Sequence, residues 1–215
     1  MLLNLRRSFV FAIVAMVITF IYMLAGTGLS QLVFSKTANG SITANGSTLI
    51  GQNWYNSKTF HGQWFLGRPD DMGPYAANPK ENEPGGDNPL VANVPGSSAL
   101  VDGESAATNL GPRSEILLQN TEALIALWHK LGVPHPTPDL VTTSGSGLDP
   151  DIAPEDARAQ IPMVSKATGI APSALEKLIS RETHSAEWGF LGSSYIDVLQ
   201  LNEGLAKLRG TSATP

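Results

Sequence analysis

A long uncharged segment near the N-terminus constrains this chain more than any other feature. No charged residue occurs between Arg7 and Lys36, and the first part of that interval, from Phe9 to Leu24, is strongly apolar. A helix of about 20 apolar residues crosses the hydrocarbon core of a bilayer, where it satisfies its own backbone hydrogen bonds. The sequence therefore predicts one transmembrane helix over residues 8–35.

Basic residues set the predicted orientation of this helix. Arg6 and Arg7 precede it, Lys36 follows it, and positive residues favour the cytoplasmic side. We therefore expect residues 1–7 in the cytoplasm and residues 36–215 outside it, as one extracytoplasmic domain of a plasma-membrane protein. A cleaved signal peptide is the alternative, but the apolar run is long for one and no A-x-A cleavage site follows it.

Composition excludes several classes of function. The chain has no cysteine, which rules out disulfides, thiolate zinc sites, thiol nucleophiles and a lipid-modified cysteine. The net charge is −5 and no basic stripe occurs, which argues against nucleic acid as a partner. With 21 glycines and 15 prolines, a loop-rich domain is expected. Helical and strand-like segments both occur, so the predicted fold class is α+β.

Helix signals concentrate in the second half of the chain. Apolar spacing predicts a helix over residues 113–131 that ends at Gly132, and another from Pro154 that Pro162 kinks or splits. Further helices are predicted over residues 172–182 and 198–208. Short strands are predicted over residues 139–143 and 195–196.

Two segments upstream have no regular pattern. The first, residues 49–68, is predicted to pack its aromatic side chains in the core, and a ligand-binding platform is the alternative. These side chains are Trp54, Tyr55, Phe60, Trp64 and Phe65. The second, residues 72–107, is rich in Pro, Gly, Asn and Asp. Because loops this long are uncommon in compact domains, we expect it to pack over the domain or contact a partner.

No residue set indicates catalysis or metal binding. The four histidines do not form a zincin motif, and no Gly-x-Ser-x-Gly elbow is present. A hydrolase built on Ser146, Asp149 and His135 is a weak alternative, because catalytic triads are recognised by geometry. Neither catalytic nor metal-ligating residues are predicted.

The most distinctive local feature is a glycine-rich loop, here called the 144–150 loop. Its exposed N–H groups suit an anion, but no Walker pattern is present. The favoured interpretation is a tight turn in which Asp149 accepts nearby N–H groups. The loop consists of Ser144, Gly145, Ser146, Gly147, Leu148, Asp149 and Pro150.

Several stretches of the sequence together carry a family resemblance. The longest is residues 139–154. The others are Leu49-Ile50-Gly51-Gln52, Phe65-Leu66-Gly67-Arg68-Pro69, Thr108-Asn109-Leu110-Gly111-Pro112, the later Gln160, Leu191-Gly192, and Val198-Leu199-Gln200-Leu201-Asn202. With the anchor and nearly the whole body, they resemble the KdpC family, the small single-pass subunits of bacterial potassium-transporting Kdp ATPases, which often have His-Ile-Ser where this chain has Asp151-Ile152-Ala153. The departure is the long loop over residues 72–107.

The resemblance implies a non-catalytic accessory subunit of an ATP-driven potassium uptake complex. Its partners would be a channel-like potassium-binding subunit and a P-type ATPase subunit, and Arg68 and Asn109 are candidate partner contacts. The 144–150 loop and Gln160 become candidates for structural, partner or nucleotide contact. Family descriptions also imply direct contact with ATP that raises the affinity of the catalytic subunit. The predicted topology opposes this, because ATP is cytoplasmic and the loop is expected outside.

Overall fold

The computed structural model describes residues 2–43, 45–52, 54–55, 60–69, 108–211 and 213, so the predicted loop over residues 72–107 lies outside the described residues. The chain forms two compact units, Met1–Ile42 and Thr43–Pro215. In chain order the described elements are α1 (Leu2–Val33), α2 (Ser35–Ala38), β1 (Ile42–Thr43), β2 (Gly46–Ser47), α3 (Glu115–Leu131), a 3-10 turn (Asp139–Val141), β3 (Asp151–Ile152), α4 (Pro154–Ala159), α5 (Ile161–Thr168), α6 (Pro172–Glu182), β4 (Ile196–Asp197) and α7 (Val198–Arg209).

Helix α1 is a long apolar helix in the first unit. Of the helices that the structure describes, it alone is long and apolar enough, over Asn4–Val33, to cross a membrane. Its large apolar side chains are exposed along its whole length, Phe11 by 74%. A helix that is apolar on all sides is stable in lipid and not in water, so α1 fits a membrane helix. It begins at Leu2 and therefore includes Arg6 and Arg7.

The second unit combines helices with very short strands, in agreement with the mixed helix and sheet content of the predicted α+β class. Strands β3 and β4 pair antiparallel, with Asp151 opposite Asp197 and Ile152 opposite Ile196. Helices α6 and α7 pack on each other and on β4. Fully buried side chains form the core of this unit, the largest being Trp128, Phe65, Leu66, Leu124, Leu140, Leu175, Leu178, Ile179, Ile196 and Leu201.

The predicted helix boundaries in this unit are largely confirmed. Helix α3 begins after Ser114, whose side chain accepts the Leu117 N–H, and it ends at Gly132 in the left-handed conformation (φ 93°). The break predicted at Pro162 is present, because α4 and α5 are separate helices that meet at Gln160. Helix α6 has the predicted bounds, and α7 extends one residue past the predicted end.

The strand predicted over residues 139–143 is wrong. Pro138 has helical dihedral angles (φ −54°, ψ −38°), and it starts the 3-10 turn that follows. The Leu140 N–H donates to Thr137 and the Val141 N–H to Pro138. The indole N–H of Trp128 donates to the Leu140 carbonyl at 2.7 Å. The N–H groups of Leu140 and Val141 and the Leu140 carbonyl therefore already have hydrogen-bond partners, and they are not available to a neighbouring strand.

Candidate functional site

Two buried amide side chains hold the backbone at residues 65 and 66. Gln160 accepts the Leu66 N–H at 2.8 Å and donates to the Leu66 carbonyl at 2.9 Å. Asn202 does the same for Phe65, with both distances at 2.9 Å. All four residues are fully buried. A buried backbone group without a partner is costly, so these amides replace the neighbouring strand that this segment lacks. We call this arrangement the amide clamp.

The 144–150 loop is held by hydrogen bonds from its own side chains. The N–H groups of Gly147 and Leu148 donate to the hydroxyls of Ser144 and Ser146 at 2.9 and 3.2 Å. The Asp151 N–H donates to the carboxylate of Asp149 at 3.1 Å, as the turn interpretation predicted. These are the contacts of a tight turn, and they engage N–H groups that an anion would otherwise bind.

The loop is also the docking surface for residues 49–52. The Gly51 N–H donates to the Leu148 carbonyl at 3.0 Å. A Cβ atom placed on Gly51 would lie 2.8 Å from the Asp149 carbonyl oxygen, so only glycine allows this approach. Gly51 and Asn202 both lie within the family-like stretches, but no local pattern predicts the role of either residue. Their place in these stretches was the one sequence signal that could have marked them.

Arg68 and Asn109, the candidate partner contacts, lie in different surroundings. The Arg68 guanidinium donates to the Thr143 carbonyl at 3.2 Å and lies 3.7 Å from the Asp139 carboxylate. Arg68 thus ties the clamped segment to residues beside the 144–150 loop. Asn109 is exposed and has a left-handed backbone (φ 53°). A partner contact at either residue stays a prediction.

The aromatic segment is part of the core. Trp54 and Trp64 are buried, with ring centroids 5.4 Å apart, and the Arg209 guanidinium lies over Trp64. The predicted core packing is confirmed for these residues and for Phe65, so they offer no platform for a ligand. Likewise, the Ser146 hydroxyl that a hydrolase would need accepts a hydrogen bond within its own turn.

Carboxylates gather where the 144–150 loop meets the strand pair. Burial, followed by the negative charges of Asp149 and Asp197, raises the pKa of Asp151 to about 6, against a weaker lowering effect of His184. Burial also raises the pKa of Asp197, although that side chain accepts the Gln200 N–H at the start of α7. The local field therefore disfavours a further anion. Within the described residues no group of three or more His, Asp or Glu side chains is arranged to hold a metal ion.

We expect Asp151→Asn to stabilise the protein above pH 6 and to have no such effect below pH 4. The folded protein binds this proton more tightly than the unfolded chain, so the contribution of Asp151 is most favourable at low pH and is lost as the pH rises through about 6. Because Asp151 is only half-buried, solvent screening reduces the gain to about 1 kcal/mol. Urea unfolding of the full chain in detergent, followed by tryptophan fluorescence between pH 4 and 8, measures it. Equal stabilisation at every pH would contradict the electrostatic explanation.

We expect Gly147→Val to destabilise the folded chain by about 2 kcal/mol, because a β-branched residue adopts positive φ only at a cost. Gly147 is buried and has a φ of 69°. Gly147→Asn is the matched control, since asparagine tolerates this conformation and its loss of stability should be smaller. The same unfolding measurement compares them. Equal losses for the two variants would indicate that crowding, and not backbone conformation, requires the glycine.

Comparison with known proteins gives a consistent result. Residues 5–207 match the family model described as "KdpC: K+-transporting ATPase, c chain". The chain is 38% identical to the "Potassium-transporting ATPase KdpC subunit 1" of Nostoc sp. over 214 residues, 96% of this chain and 95% of that one. It is 35% identical to the KdpC subunits of Rhodopseudomonas palustris strain TIE-1 (86% of each chain) and of Methylorubrum populi (97% of this chain, 98% of the other).

Proposed function

The chain belongs to the KdpC family of K+-transporting ATPase c chains, and we propose that it is a non-catalytic accessory subunit of a potassium uptake complex. Its partners in this proposal are a channel-like potassium-binding subunit and a P-type ATPase subunit. It aids the assembly and activity of the catalytic subunit without carrying out a reaction itself.

One observation carries this proposal: the family-like stretches pack against each other and build the shape of the second unit. Gly51 docks on the 144–150 loop, and Gln160 and Asn202 clamp residues 65 and 66. The polar side chains of Gln160 and Asn202 form hydrogen bonds with backbone groups. This supports a role in shaping a surface over a role in catalysis.

In this proposal ATP affects the subunit only through the complex. The negative charges of Asp149 and Asp197 raise the pKa of Asp151, and the same charges oppose a triphosphate beside the 144–150 loop. The orientation expected from Arg6 and Arg7 also places the loop across the membrane from cytoplasmic ATP. The ATP contact implied by the family is therefore assigned to the catalytic subunit.

We further propose that α1 anchors the chain in the plasma membrane with its N-terminus inside and residues 36–215 outside. Protease treatment of intact spheroplasts tests this, because external protease then removes residues 36–215 and leaves a fragment that contains α1. Protection in intact spheroplasts, with digestion only after lysis, would reverse the topology and reopen direct contact with ATP.

Purification of the tagged full chain from native membranes tests the accessory role. We expect a channel-like protein and a P-type ATPase to co-purify, and potassium-stimulated ATP hydrolysis to require all of them. Asp151→Asn, which we expect to preserve the fold, serves as a control that should retain both partners. A chain that purifies alone, from membranes in which both partners are present, would overturn the proposal.

A further inference from the structure

Exposed aromatic and apolar side chains occur together on the hairpin formed by residues 184–195 of the second unit. Trp188 is 85% exposed and Phe190 74% exposed, and Leu191 and Tyr195 are also among the exposed large apolar residues. We call these four side chains the aromatic tip. Of the four tryptophans in the chain, Trp54, Trp64 and Trp128 are buried, which leaves Trp188 as the exposed one. Several large apolar side chains exposed within one short segment mark an interaction site.

The tip is held in place by its own backbone. His184 and Tyr195 exchange two hydrogen bonds at 2.9 and 3.0 Å, and Glu187 and Leu191 exchange two at 2.9 Å. The rings of His184 and Tyr195 stack at 4.9 Å. Trp188 has a φ of 52°, a conformation rarely adopted by a bulky residue. An ordered hairpin that holds a tryptophan in a strained, exposed position is better explained by binding than by packing.

The chemistry of the tip fits a lipid surface. Residues 185–195 contain a single charged residue, Glu187, and otherwise consist of small, hydroxyl-bearing, apolar and aromatic residues. Tryptophan and tyrosine favour the membrane–water interface, where an apolar ring and a polar group are both accommodated. The four side chains lie within residues 188–195 of one hairpin, among glycines and serines, whereas a stable protein interface needs a broad face of about 800 Å² on each partner.

The proposed anchor also keeps a bilayer near the second unit. Tethering a domain to a membrane raises the effective concentration of lipid around it, so a contact too weak to bind free vesicles becomes occupied. We infer that the aromatic tip inserts into the interfacial layer of the bilayer that holds α1, as a second and weaker membrane contact. This inference rests on the membrane anchoring proposed above.

Trp188 provides the test. The full chain is reconstituted in phosphatidylcholine vesicles, with and without brominated acyl chains, which quench tryptophan on contact. We expect brominated lipid to quench part of the emission, and Trp188→Phe to abolish that part, since the other three tryptophans are buried and α1 contains none. Added salt should not change the quenching, because insertion here does not depend on basic residues.

Matched variants separate the tip from the rest of the surface. Phe190→Ser should weaken the quenching of Trp188 by brominated lipid. Leu118→Ser removes an exposed apolar side chain on α3 and should leave the quenching unchanged. Equal effects of the two variants would overturn the assignment to the tip.

The remaining outcomes are distinct. If the chain floats with the vesicles but iodide, and not brominated lipid, quenches Trp188, the tip stays in water and the inference is overturned while the anchor stands. If the chain does not float with the vesicles, the anchoring and the inference both fail. If neither quencher reaches Trp188 in the reconstituted ATPase complex, a protein partner covers the tip and the lipid contact is overturned.

Discussion

We expect Gln160→Ala to lower the free energy of unfolding by about 3–5 kcal/mol, the largest effect of any single substitution considered. The variant leaves the N–H and carbonyl of Leu66 buried without their partners, and each such group costs about 1–3 kcal/mol. It also leaves a cavity at a residue that is fully buried. Urea unfolding of the full chain in detergent measures the loss, because the buried tryptophans report on the second unit.

Two further variants test the cause. Gln160→Glu keeps the length and one acceptor but cannot donate to the Leu66 carbonyl while ionised, so we expect a similar loss at pH 7 that is partly recovered at low pH. Gln200→Ala removes a half-buried glutamine side chain from α7 and should change stability by less than about 0.5 kcal/mol. If Gln160→Ala were no worse than Gln200→Ala, the amide clamp would not stabilise the fold.

The parts of the fold that follow from local sequence were predictable. Helix α6 follows from a proline at its first turn and apolar residues spaced to face one side, Leu175, Leu178 and Ile179. The split between α4 and α5 follows from Pro162, which lacks an N–H. The positive φ of Gly147 follows from the need of a tight turn for glycine.

The parts that depend on distant residues were not predictable. The hydrogen bonds of Gln160 and Asn202 span 94 and 137 residues along the chain, and no local pattern encodes them. The 3-10 turn at Asp139–Val141 replaces the predicted strand through local bonds to Thr137 and Pro138 and through Trp128 on α3, whose indole N–H donates to the Leu140 carbonyl. In both cases hydrogen bonds from side chains elsewhere in the fold, four in the amide clamp and one at Leu140, help to set the backbone.

The same division applies to the candidate site. The tight turn in the 144–150 loop is predictable from its glycines and Asp149, since glycine permits the turn conformation and aspartate bonds to nearby backbone. The elevated pKa of Asp151 is not, because it arises first from burial, which no local pattern gives, and then from the charges of Asp149 and of Asp197, the latter paired opposite Asp151 on β4. The aromatic tip is also not predictable from sequence, because apolar residues in a short segment have the same pattern whether they face the core or the surface.

We expect Gly51→Ala to destabilise the second unit by about 1–3 kcal/mol and to separate residues 49–52 from the 144–150 loop. The new methyl group would lie 2.8 Å from a backbone carbonyl oxygen, and a backbone atom cannot move aside as the end of a flexible side chain can. Relief of the clash requires one segment to shift, which lengthens the 3.0 Å hydrogen bond from the Gly51 N–H to the Leu148 carbonyl. Hydrogen exchange at the Gly51 amide should therefore accelerate in the variant.

Gly145→Ala is the matched control, because a Cβ atom at that position of the loop would have no neighbour within 4 Å. We expect it to keep the stability and the amide protection of the wild type. Reduced co-purification of the ATPase subunits with Gly51→Ala, but not with Gly145→Ala, would show that assembly requires the contact between residues 49–52 and the loop. It would also show that assembly tolerates a residue change within the loop. Normal assembly of a Gly51→Ala protein whose loop has been displaced would contradict that link and assign the loop a role in stability alone.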